Sequence, residues 1–242
     1  MACEHGKQLN MISNPEYLRT PQNAFEPDPR TLGFSIHMEG GYRSKEFEDQ
    51  YRAVADILLR PEVPEHIRIQ FETAKNLYLY AWYVYRFYSV CKLQAFSCLE
   101  LALRDRFESA ILAVDKHRKK YRRGFAGLLK YAIENHHLKN ENFTMWRCRA
   151  ELRAQERTML ERLEEMKRTG AVEMDLEESE IEIKPEDSDH DYRAILLKNL
   201  PVLRNHFAHG SSSIDNQARG MLHVVSEIIN QIYPFDLDEE RP

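Results

Sequence analysis

From Glu65 to Arg118 the chain contains neither proline nor glycine. With no residue to interrupt the backbone ladder, such a stretch favours helix. One straight helix of that length would reach roughly 80 Å, too long for a compact domain. The spacing therefore predicts two helices, with a bend or short turn between Tyr83 and Lys92. Pro64 suits the opening position of the first. By contrast, Pro15, Pro21, Pro27 and Pro29 crowd the first 30 residues. Residues 1–44 read as an irregular arm, wrapped on the surface or partly disordered, with GFSIHMEGGY the one place for a short strand.

Helical periodicity begins after Ser44, where Phe47, Tyr51, Val54, Ile57 and Leu58 recur on one face. Ser44 is the expected N-cap and Pro61 the stop. Tyr78, Tyr80, Trp82, Tyr83, Tyr85, Phe87 and Tyr88 lie all round their helix. That predicts a helix buried in the core, or one that also meets a second subunit. Leu93, Phe96, Leu99, Leu101, Leu103 and Phe107 build an apolar face beside Glu100 and Arg104, an acid-first i, i+4 pair. Leu128, Leu129, Ala132 and Ile133 give a short helix ending near His136. Residues 145–168 interleave acids and bases as a solvated helix. Residues 173–189 hold nine acids against Lys184 alone, a solvated linker or acidic strap. Together 139–189 read as a charged insertion. The core resumes at Tyr192, with Ile195, Leu196, Leu200 and Leu203 in one stripe, Ser188 as a cap, Pro201 as a candidate kink and Gly210 as the stop. Met221, Leu222, Val225, Ile228, Ile229 and Ile232 mark a final amphipathic helix closed by Pro234. The expected fold is an all-α antiparallel bundle over residues 45–242.

Charge and cysteines exclude several classes. A net charge of −5 is unlike that of a general nucleic-acid coat, but leaves room for a local basic site. No apolar run approaches the roughly 20 residues of a membrane span. The segment MACEHGKQLN lacks the apolar core of a signal peptide, so a cytoplasmic protein is expected. The four cysteines form no CxxC pair. Cys91 and Cys98, seven apart on a helix, would sit about 10 Å from each other, too far to bridge. No histidine or cysteine pair has metal-ligand spacing, and no glycine loop suits a phosphate. No metal and no cofactor are expected.

One segment carries chemistry. In LRNHFAHG, Leu203–Gly210, an arginine precedes a histidine by four intervening residues at the end of an amphipathic helix. The spacing alone has little weight. Arg30–His37 and Arg60–His66 also satisfy a four-to-six-residue gap, and about three chance matches are expected in a chain so composed. Context separates the third: Arg30 lies in the arm and Pro61 and Pro64 interrupt the second, whereas Asn205 follows Arg204 and a last helix follows Gly210. With the inner-helix run FSCLELALRDRF, this pattern resembles the HEPN family (higher eukaryotes and prokaryotes nucleotide-binding) over residues 65–137 and 190–233.

The resemblance implies metal-independent RNA cleavage, in which a 2′-OH attacks the adjacent phosphate to leave a 2′,3′-cyclic phosphate. His209 would move the proton and Arg204 would hold phosphate oxygens. Asn205 would orient phosphate or imidazole, and Glu100 would fix Arg204 or the histidine tautomer. It also implies a homodimer in a bacterial defence or toxin–antitoxin setting, with a nucleotidyltransferase as the type of antitoxin. Residues five apart on a continuous helix point about 140° apart. Convergence of Arg204 and His209 thus needs the helix to stop near Phe207, or a second copy of the chain. A non-catalytic RNA-, nucleotide- or protein-binding module is the competing reading.

The run KHRKKYRR offers a second candidate. Lys116, Arg118, Lys119, Lys120, Arg122 and Arg123 are suited to an RNA backbone, with Tyr121 placed for stacking and His206 as an accessory contact. A solvated helix end, or pairing with the acidic strap, explains the same run without RNA.

Overall fold

The computed structural model describes residues 14–170, 181–209 and 214–234. Cys3, Gly210 and residues 171–180, which include the first part of the acidic strap, lie outside them. A hairpin of β1 (Ser35–Met38) and β2 (Gly41–Ser44) precedes seven helices among the described residues: α1 (Phe47–Ala55), α2 (Glu65–Tyr80), α3 (Phe87–Val114), α4 (Phe125–Glu134), α5 (Thr144–Thr169), α6 (Tyr192–Ala208) and α7 (Ala218–Ile232). No described helix is long and apolar enough to cross a membrane.

α3 is the axis of the bundle. It buries Tyr88, Cys91, Ala95, Phe96, Cys98, Leu99, Ala102, Leu103, Phe107 and Ile111, residues spread round its circumference because α2, α4, α6 and α7 all pack on it. Contacts fix the directions. Tyr78 meets Tyr88, Gln94 bonds to Gln70, and the Cys98 thiol donates to the Ile67 carbonyl. These pairs share a nearly constant sum of residue numbers, so α2 and α3 are antiparallel. Phe96–Phe207 and Glu100–Arg204 give the same result for α3 and α6. α7 runs parallel to α3, from Asp215 beside Lys92 to Tyr233, whose hydroxyl donates to the Ala102 carbonyl at 3.2 Å. Cys91 and Cys98 are buried free thiols, and burial pushes both up to about 12, so neither is a ready nucleophile.

The expected turn between the two long helices spans residues 81–86, starting slightly earlier than Tyr83. The arm departs further from its expected form. It contains the hairpin, and Ser44 is the last residue of β2 rather than a helix cap. α1 opens instead with the Glu46 N–H donating to Asp49 Oδ2 at 2.8 Å, and it ends at Ala55, well before Pro61. The arm lies on the aromatic junction. Asp28, fully buried, donates its N–H to the Trp82 carbonyl at 2.9 Å and accepts from the Tyr85 N–H at 3.3 Å. Phe25 meets Tyr83, Phe34 meets Tyr85, and the Arg30 guanidinium sits over the Tyr85 ring. Much of the surface that the aromatic run offered to a second subunit is therefore covered by the chain itself.

α5 buries only Ala150, Ala154 and Thr158. The end of the acidic strap packs on it through a 3-10 turn, Pro185–Ser188, where Arg157 pairs with Asp187 at 3.0 Å. α6 starts at Tyr192 on Asp191, not Ser188: the Asp191 carboxylate accepts from the Arg193 and Ala194 N–H groups. It stays helical across Pro201.

Candidate functional site

The site is built where the last turns of α6 cross α3. Phe207 turns inward onto Phe96, with ring centroids 6.3 Å apart. One turn earlier, Arg204 Nη2 donates to Glu100 Oε2 at 3.0 Å. Glu100 Oε1 also accepts from Arg104, one turn further along α3, at 3.1 Å. The carboxylate is mostly buried, with 14% of its side chain exposed, against 36% for Arg204. Glu100 thus holds two guanidinium groups side by side while the rest of Arg204 stays open to solvent. Arg204 Nη1 reaches Asn205 Oδ1 only at 3.4 Å.

Below this pair lies an ion pair whose cation is buried. Lys92 is 4% exposed on α3, and its ammonium bonds to Asp215, ahead of α7, while lying 5.2 Å from the Phe207 ring centroid. Burial opposes ionisation of Asp215, but the Lys92 hydrogen bond, the Gln217 N–H and the Lys92 charge outweigh it and hold its carboxyl below the usual range. This pair ties the chain after α6 to the central helix and so fixes where the motif sits.

His209 and His206 are exposed. His206 places its ring against Phe207 at 5.5 Å. The helix does not unwind before His209. Its N–H still donates to the Asn205 carbonyl at 3.0 Å, and its φ of −87° keeps it near the helical spiral. The helical phase therefore persists, and within one chain Arg204 and His209 leave the axis about 140° apart. Among the described residues no contact joins their side chains. The structure brings Glu100, Arg204, Asn205 and Arg104 together and leaves His209 on a different side of the helix end.

The basic run forms the loop that follows α3. Asp115 organises it by accepting from the Lys119, Lys120 and Tyr121 N–H groups at 2.8–2.9 Å. The Tyr121 N–H leads the three in holding that carboxyl below its usual range. Gly127 on α4 lets the loop dock, because a Cβ there would lie 1.7 Å from the Arg122 carbonyl oxygen. Tyr121 is 4% exposed and bonds to Glu134, so it does not offer a stacking face as expected. Lys120 also pairs with Glu134, at 2.8 Å. Lys116, Lys119, Arg122 and Arg123 are exposed, with no ion pair among the described residues. Arg118 is the departure that sequence reasoning missed: its side chain is 8% exposed and pairs with Glu108. A run this basic reads as solvated, and the only hint was an acid ten residues upstream.

Among the described residues no cluster of histidine, cysteine, aspartate and glutamate suits a metal ion. A cavity of about 530 Å³ lies at the far end of α7, lined by Arg60, His137, Lys139, Arg147, Glu227 and Gln231 among others. It is remote from the motif. No family model, no curated protein and no solved structure matches the chain.

Proposed function

We propose that the chain is a metal-independent endoribonuclease of the HEPN kind that the motif resembles, acting as a pair of identical subunits. The observation that carries this reading is the anchored Arg204, held on one edge by Glu100 and open on the other. A guanidinium so placed binds a phosphodiester while spending little ordering entropy. His209, exposed at the same helix end, takes the 2′-OH proton. The oxygen attacks phosphorus, the 5′-oxygen leaves with a proton returned to it, and a 2′,3′-cyclic phosphate remains. Because the two side chains diverge within one chain, the acting His209 comes from the second copy. The motif face is available for that contact, whereas the aromatic face is occupied by the arm.

The same divergence favours a second reading if no dimer forms: a module that binds RNA, a nucleotide or a protein without cutting. Incubation with single-stranded RNA in EDTA separates the two. Cleavage by the wild type with cyclic-phosphate ends, lost in His209→Ala at unchanged melting temperature, supports the nuclease. Intact RNA with retained binding supports the module.

A further inference from the structure

A second, smaller cavity of about 310 Å³ opens between α3, the loop after it and α4, lined by Arg104, Glu108, Arg118, Arg123, Gly124 and Leu128. Arg118 is the unusual member. Its side chain is more than nine-tenths buried, yet within it only Nη2 has a partner, the Glu108 carboxylate. Its Nε and Nη1 are buried without any hydrogen-bond partner. Buried donors of a charged group that are left unsatisfied are costly. The residue also holds a backbone φ of +53°, a conformation that L side chains rarely adopt. A strained, under-bonded cation in a cavity is the arrangement expected where a ligand completes the bonding.

The cavity adjoins the motif. Glu100, Arg104 and Glu108 follow each other at i, i+4 and i+8 on one face of α3. Glu100 joins Arg104 to Arg204, and Glu108 joins the same face to Arg118. The row sets four guanidinium groups, those of Arg204, Arg104, Arg123 and Arg118, against two carboxylates. Glu100 and Glu108 are separated by about 12 Å along the helix, a span of a few nucleotides for an extended strand.

We propose that this cavity is a phosphate subsite, in which Arg118 and Arg123 take a backbone phosphate of a single strand whose neighbouring phosphodiester lies at Arg204. The inference rests on the RNA reading above, but concerns binding along α3 rather than cleavage. Arg118 supplies Nη1 to a phosphate oxygen, and the exposed Arg123 and Arg104 close over the anion. The subsite is blind to base identity, as contacts to the backbone alone must be.

The test uses a 2′-O-methyl RNA oligonucleotide, which lacks the attacking hydroxyl and stays intact whether or not the protein is a nuclease. Its affinity is measured by fluorescence anisotropy over a salt series. Arg123→Ala is expected to weaken binding about tenfold and to lower the salt slope by about one; Arg118→Lys, which keeps the charge but loses the guanidinium fork, is expected to weaken binding about tenfold with the slope unchanged. Lys139→Ala, in the remote cavity, leaves binding unchanged. Melting curves show that each variant is folded, and Arg123, being exposed, serves if Arg118→Lys is not. Unchanged affinity and slope in Arg123→Ala overturn the proposal. So does binding of inorganic phosphate or pyrophosphate with no affinity for the oligonucleotide, which would make the cavity a small-anion site. Failure of cleavage alone leaves this result standing, whereas cleavage with an unaltered KM in Arg123→Ala removes the subsite and keeps the nuclease.

Discussion

Replacing Asp215 by asparagine tests how the motif is held in place. The Lys92 side chain is 5% exposed and that of Asp215 is 40% exposed. Asparagine keeps the shape and an acceptor oxygen but removes the neutralising charge, leaving a buried ammonium beside a neutral amide and the Phe207 ring. Unit charges about 4 Å apart interact by about 4 kcal/mol at an effective dielectric of 20. The solvent exposure of Asp215 screens much of that, so the expected loss is about 2 kcal/mol. For a chain of this size such a loss lowers the melting temperature by about 4–8 °C. Lys92→Met with Asp215→Asn removes both charges and keeps the volume, and the pair of changes is expected to recover most of the loss. Thermal melts of the wild type, both single variants and the double variant at neutral pH close the cycle. A double variant at least as unstable as the sum of the two singles would refute the reasoning, because it would mean that the charges do not compensate each other.

Other outcomes follow from the same geometry. Gly127→Ala forces the 115–124 loop off α4 and is expected to cost about 1–3 kcal/mol, read in a urea melt, together with weaker RNA binding. Glu100→Gln frees Arg104 and Arg204 from their shared carboxylate; with both arginines partly exposed, the stability loss is about 1 kcal/mol, while RNA affinity or cleavage changes more than stability does. Asp115, Asp187 and Asp215 are all held below the usual carboxylate range. Their stabilisation is present above the unfolded-state value of about 3.9 and is lost as pH falls through their lower folded values. Melting temperature should therefore drop below about pH 4, and less steeply in Asp215→Asn; identical slopes would contradict the assignment for that residue.

The long helices were legible because their patterns are strong. α7 has a clear apolar stripe, and the breaker-free run could only be two helices with a turn. Of the hairpin only the first strand was legible, since β1 falls within GFSIHMEGGY; β2, Gly41–Ser44, leaves most of its side chains exposed and carries no alternating apolar face. α1 was overextended because Ile57 continues its periodic stripe although the helix has already ended; the residue is buried in the turn beyond. At the site, Glu100 and Arg204 were singled out by residue type and context, and they meet across 104 positions. The direction of His209 was not readable, since it depends on whether the last turn of α6 keeps its phase, which one backbone hydrogen bond to Asn205 decides. From sequence Arg118 belongs with the other cations of its run as a backbone contact for RNA, whereas Asp115 and Gly127 fold its loop inward.

The central claim is that Arg204 of one copy works with His209 of another. Arg204→Ala and His209→Ala proteins, each inactive alone, are mixed under conditions that exchange subunits and assayed on RNA in EDTA. In a mixed dimer one of the two sites has both intact residues, so about a quarter of wild-type activity returns. A mixture that exchanges subunits yet stays inactive, beside an active wild type, would contradict the shared site.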